Sequence, residues 1–85
     1  MVYKIKLKPK AEKELNKIPL PYYDWIVKRI GSLASNPFIG KKLAGEFKGY
    51  YSIRVWPYRI IYVIFKKWLI IYIVSISHRQ GVYKN

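Results

Sequence analysis

The sequence predicts an α+β domain of two layers, two N-terminal helices packed on an antiparallel sheet in the order β-α-α-β-β-β. Three observations carry that expectation. Residues 2–8, VYKIKLK, alternate apolar side chains with lysine, which is the period of a strand with one buried face. Residues 9–36 carry apolar side chains at helical spacing. Residues 50–77 hold three β-rich segments separated by two turn signals.

Pro9 suits the first turn of a helix, where its missing N–H costs nothing. Ala11, Leu15 and Ile18 then share one stripe, with Glu12, Lys13, Glu14 and Lys17 off it. Pro19 and Pro21 break this helix and restart a second. There Tyr22, Ile26, Ile30 and Leu33 recur at helical spacing, and Tyr23 and Val27 widen the stripe. Asp24 falls in its first turn, where a carboxylate stabilises the helix dipole. Asn36-Pro37 ends the helix, because a residue before proline avoids the helical region. Residues 37–49 contain Gly40, Gly45 and Gly49 and read as a loop.

The remainder is β. YYSIRVW, residues 50–56, puts Tyr51, Ile53 and Val55 on one face and Tyr50, Ser52, Arg54 and Trp56 on the other. Trp56-Pro57 marks a turn. YRIIYVIF, residues 58–65, is apolar on both faces, as in a central strand. Lys66-Lys67 reads as a hairpin turn, and residues 68–77, WLIIYIVSIS, return as a second central strand.

Eighty-five residues suit a single domain spanning 1–85. The apolar share of 52%, including nine Tyr and three Trp, fits a dense core in a short chain. The opening MVYKIKLKPK has no apolar stretch of the signal-peptide kind, and Lys66 and Lys67 interrupt the most apolar segment. A cytoplasmic protein with no membrane partner is the expectation. Seventeen Lys and Arg face four acids, for a net charge of +13. Residues 1–40 contribute +5 and residues 41–85 contribute +8. Such an excess costs self-repulsion in the folded state and suits a polyanionic partner whose counterions are released on binding. Nucleic acid is the first candidate and an acidic protein the second.

Several chemistries find no residues. The chain has no cysteine and one histidine, so no metal-ligand set and no disulfide is expected. The glycines at 40, 45 and 49 precede a strand and not a helix, unlike a phosphate-cradling loop. Paired carboxylates would have to be Asp24 and Glu46, and Asp24 already has its helix-terminus role. Ser75 and Ser77 lie near His78, but no acid is placed to orient the ring.

Arg54, Arg59, His78, Arg79 and Tyr83 remain. If the last three strands form a meander, Arg54 and Arg59 flank one turn, and the final strand returns His78 and Arg79 to the Arg59 end. Each arginine alone reads equally as a solvated sheet edge. Together with a His and a Tyr they suit phosphodiester cleavage in RNA. Arginine offers planar donors to phosphate oxygens, histidine moves a proton near neutral pH, and tyrosine stacks on a base. RNA brings its own nucleophile in the 2′-hydroxyl, so neither a metal nor a cofactor is required.

Two segments resemble the RelE/ParE toxin superfamily of bacterial and archaeal toxin–antitoxin systems. KLAGEFKGYYSIRVWPYRIIYVI, residues 42–64, is similar to the family pattern K-L-x-G followed by G-Y-Y-R-I-R-V-G-D-Y-R-V-I-Y. SHRQGVYKN, residues 77–85, resembles the family ending G-H-R-x-x-V-Y. The opening YKIKLKPKAEKELNKIP and the NPFIGKKL segment also look familial. The resemblance implies a RelE-like fold and a RelE-type mRNA interferase, a ribosome-dependent endonuclease that cuts messenger RNA in the A site and so inhibits translation. It implies a RelB-like acidic antitoxin and the 70S ribosome as partners. By the same resemblance Arg54 and Arg59 bind the scissile phosphate, His78 is the general acid/base, Arg79 holds phosphate and Tyr83 positions the nucleotide. Lys42, Lys48 and Lys84 are implied RNA or ribosome contacts. Trp56, which the family pattern lacks, is expected on its own chemistry to offer a stacking surface near the site.

The chain also departs from the pattern. Ser52 stands where family members often have a basic residue, Trp56-Pro57 replaces a Gly-Asp turn, and Gln80-Gly81 replaces a more charged pair. Two other functions stay open: a ParE-like inhibitor of DNA gyrase, and a non-catalytic basic module that binds nucleic acid or protein.

Overall fold

A computed structural model describes residues 2–79. The elements are β1 (Lys4–Leu7), α1 (Pro9–Asn16), α2 (Tyr22–Ser32), β2 (Lys41–Lys42), β3 (Tyr50–Val55), β4 (Tyr58–Phe65) and β5 (Ile70–His78), with short 3-10 turns at Pro37–Ile39 and Gly45–Phe47. The two-layer α+β class is as expected. Residues 37–49 are not wholly loop, because Lys41 and Lys42 pair with Ser52 and Tyr51 as a two-residue edge strand. Two residues carry no readable period, so nothing in the sequence marks that strand.

The sheet order is β1-β5-β4-β3-β2. The β3-β4-β5 meander is antiparallel, but β1 lies parallel to β5, a correction to a wholly antiparallel sheet. The chain crosses from β1 to the meander through both helices, which is the long connection that a parallel pair needs. α2 also ends four residues before Asn36. Val27 lies exposed and does not widen the buried stripe.

Register divides the sheet into two faces. Tyr51, Ile53 and Val55 stand opposite Tyr62, Ile60 and Tyr58. With Ile71, Ile73 and Ile76 of β5 they form the face under the helices. Ala11 and Leu15 of α1, Ile18 beyond it, Ile26 and Ile30 of α2 and Leu33 at its end pack there in one core. The opposite face bears no helix among the described residues. Its rows run Arg54–Arg59–Ser77, then Ser52–Ile61–Ser75, then Tyr50–Val63–Tyr72–Lys6, then Phe65–Ile70–Lys4.

A bulge shifts this register in β5. Ile61 pairs with Ser75, whereas Tyr62 pairs with Ile73, so Val74 is the extra residue. An extra residue exchanges the faces of everything after it. Ile76 thereby enters the core, at 2% exposure. Ile76 also lies past Leu7, the last residue of β1 to pair. Its N–H donates instead to Glu14 Oε1 of α1 at 2.8 Å, and Lys10 Nζ holds Oε2 at 3.1 Å. The carboxylate stands in for a missing strand neighbour.

Tyr62 is the largest fully buried side chain. Its hydroxyl donates to the Pro37 carbonyl at 2.8 Å and accepts from the Gly40 N–H at 3.0 Å. A Cβ at Gly40 would collide with that hydroxyl, so glycine is required there for close approach. Burial pushes the phenol pKa up, and the Gly40 hydrogen bond offsets part of the rise. Replacing Tyr62 with Phe leaves two backbone groups without their partner and should cost about 1–3 kcal/mol in urea unfolding. The pH dependence has a definite sign. The folded state favours the neutral phenol, so its contribution is full below about pH 10 and is lost as pH climbs through the raised value. Tyr62→Phe should lack this part of the alkaline loss.

Candidate functional site

The β3–β4 turn brings two arginines together. Arg54 and Arg59 are direct cross-strand partners, with Arg54 exposed and Arg59 half-buried. Like charges directly opposite each other destabilise a sheet. The end of β5 closes against the same turn, where the Arg79 N–H donates to the Pro57 carbonyl at 2.7 Å. The Arg79 guanidinium carbon sits 4.7 Å from the Trp56 ring centre, within cation–π range. Arg54, Trp56, Pro57, Tyr58, Arg59 and Arg79 line a pocket of about 180 Å³. Three guanidiniums around one small pocket suit a phosphate, for which planar forked donors are well shaped.

Arg54 and Arg59 also line a neighbouring groove of about 390 Å³ with Lys41 and Ser52. Lys41 escaped the sequence reading because its link to Ser52 rests on the two-residue strand. Ser52 leaves room where a longer basic side chain would project.

His78 leaves the sheet at the same end but on the other side. Its cross-strand partner is Tyr58, while Ser77 faces Arg59. The imidazole meets the Tyr58 ring edge-on, with centres 5.4 Å apart. Tyr58 in turn touches Tyr22, and Tyr22 touches Trp25. This line of rings runs from the exposed Trp25 of α2 to the exposed His78. The structure thus gathers Arg54, Arg59, Arg79 and Trp56 in one pocket and puts the His78 ring on the other face of the same sheet end, against Tyr58, which also lines the pocket.

Lys42 and Lys48 lie elsewhere. They line a larger cavity, about 540 Å³, with Leu43, Tyr50, Tyr51, Ile64 and Lys66. That groove has volume but no guanidinium, so the smaller arginine pocket is the stronger candidate for holding a phosphate. Tyr83, Lys84 and the Gln80-Gly81 departure fall outside the described residues. Among the described residues no three His, Cys, Asp or Glu side chains come together as a metal site. No helix there is long and apolar enough to cross a membrane.

The family that this chain matches is one of toxins of type II toxin–antitoxin systems. The chain belongs to the RelE/ParE superfamily: residues 5–83 match the family described as the ParE toxin of type II toxin–antitoxin system, parDE. It is similar to Toxin RelG of Mycobacterium tuberculosis, at 29% identity over 87 residues and the full length of both chains. Its fold is similar to the toxin–antitoxin complex RelBE2 from the same organism, with TM-score 0.86 and 28% identity over 93% of this chain and 100% of that one. The isolated E. coli RelE toxin shares the fold, with TM-score 0.80 at 22% identity, covering 89% of this chain and 83% of that one.

Proposed function

We propose that this toxin is a ribosome-dependent endoribonuclease that cuts messenger RNA in the A site. The observation that carries the reading is the pocket of Arg54, Arg59 and Arg79 beside Trp56, with His78 at the same end of the sheet against Tyr58. In the proposed reaction the 2′-hydroxyl attacks the adjacent phosphorus. It gives its proton to a base as the new P–O2′ bond forms. The P–O5′ bond breaks, and the departing oxygen takes a proton from an acid. The products are a 2′,3′-cyclic phosphate and a 5′-hydroxyl, and no metal takes part. The guanidiniums stabilise charge that grows on the phosphate oxygens in the transition state. His78 serves as a proton carrier. Tyr83 positions the nucleotide, and Lys84 with Lys42 and Lys48 contacts RNA or the ribosome.

A RelB-like acidic antitoxin is the proposed neutralising partner. A net charge of +13 supports it, as does the likeness to a toxin solved with its antitoxin. The reading also puts the protein's work in the cytoplasm, where ribosomes translate.

The ParE description of the matching family favours a second reading, inhibition of DNA gyrase without RNA cleavage. One pair of assays separates them. Primer extension on programmed ribosomes should show cuts within the A-site codon, and supercoiling by purified gyrase should be unchanged. Loss of supercoiling with intact messenger RNA would reverse the assignment.

A further inference from the structure

The open face of the sheet carries a second cationic row, remote from the arginine pocket. Lys4 and Lys6 stand on edge strand β1 opposite Ile70 and Tyr72, and both are exposed. Lys8 follows on the same face. Its ammonium does not extend off the edge but folds inward, 4.8 Å from the Tyr72 ring centre. Phe65 meets Tyr72 edge-on at 5.8 Å and is 41% exposed. Between this row and Arg59 lie Tyr72, Ser75 and Ser77 of β5 and Ile61 and Val63 of β4.

We infer that Lys4, Lys6 and Lys8 hold the phosphates of single-stranded RNA that continues across the open face from the arginine pocket, with Phe65 as a stacking surface beside them. The inference rests on the nuclease reading, and it names where the substrate strand goes beyond the cut. Register sets the scale. β1 is two strand spacings from β4, so the row runs from about 12 Å to about 22 Å from Arg59. That is a separation for flanking nucleotides and not for the one being cut. Three like charges in a row repel each other, and a polyanion offsets that repulsion. Phosphate contacts plus an exposed ring is the chemistry by which single strands are held without reading sequence.

The test compares a trinucleotide and a nonanucleotide of uridine as ligands of the whole chain across a salt series. Wild type should bind the longer strand more tightly. The variant with Lys4→Gln, Lys6→Gln and Lys8→Gln should bind the trinucleotide as wild type does but gain nothing with length. Its log-affinity against log-salt slope for the nonanucleotide should flatten by roughly 2, because three fewer phosphates of a single strand are neutralised. Edge lysines also guard against strand pairing. A second variant, with Glu at all three positions, keeps the edge charged and should bind the long strand more weakly still. A lysine variant that gains with length as wild type does overturns the track. So does a wild type that gains nothing, while its cleavage on programmed ribosomes is judged separately. Unchanged RNA profiles with weaker binding to poly-L-glutamate overturn it too and assign the row to an acidic protein.

Discussion

Replacing His78 with alanine should slow messenger cleavage on programmed ribosomes by ~10²–10⁴-fold, the usual contribution of a positioned general acid/base. The chain has one histidine, so no second imidazole can take over. The ring is exposed and leans on the edge of Tyr58. Its removal leaves the core beneath Ile60 and Ile76 in place, and urea unfolding should move little. The loss should therefore fall on the single-turnover rate and not on ribosome binding. A His78→Ala protein that cuts at the wild-type rate would remove the imidazole from the mechanism. The proton traffic would then belong to another group.

Arg59→Ala should lower the cleavage rate by about 10²–10³-fold, as loss of one preorganised donor to a developing anion does. Arg54→Ala should act in the same direction, and the double variant should lose less than the product of the two, because in the proposed reaction both serve one phosphate. The same substitutions should have an unusual second effect. Arg54 and Arg59 are direct partners across the β3–β4 ladder. Removing one relieves a like-charge opposition worth roughly 0.2–1 kcal/mol. Arg54 is exposed, so little packing goes with it. Arg54→Ala should thus be a poorer enzyme and a slightly more stable protein, measured by chemical denaturation. A drop in both would mean that Arg54 holds the sheet together and does not serve the substrate. Arg59→Lys keeps the charge but loses the fork, and recovery of most of the rate would show that charge alone matters there.

Much of this arrangement was legible in the residues. The alternation of β1, the two helical stripes and the unbroken apolar run of β4 each follow from burial on a fixed period, and each lies where its pattern placed it save for the exposed Val27. Arg54 and Arg59 were readable as neighbours because a tight turn at Trp56-Pro57 leaves few registers. What stayed hidden depends on distance in sequence. The parallel partnership of β1 with β5 joins residues from opposite ends of the chain, and no local period reports it. Lys41 comes to Arg54 and Arg59 through a strand too short to have a pattern. Glu14 looked like an off-stripe helix acid, yet it completes the hydrogen bonding of β5. The side of the sheet taken by His78 was hidden for another reason. Counting in twos along WLIIYIVSISH puts the histidine on the same face as Ile70, and that count is broken at Val74.

The bulge at Val74 therefore works as a parity switch. Which side of the sheet presents the imidazole is decided by whether the count of residues between Ile73 and His78 is odd or even, and by no side chain's chemistry. Removing Val74 would carry the ring over to the arginine face and would push Ile76 out of the core in the same stroke. The histidine cannot change sides alone, because the core has already claimed the alternate positions beside it. Insertions and deletions in this strand are thus held to account by packing long before any demand from catalysis, and the site inherits its handedness from the core.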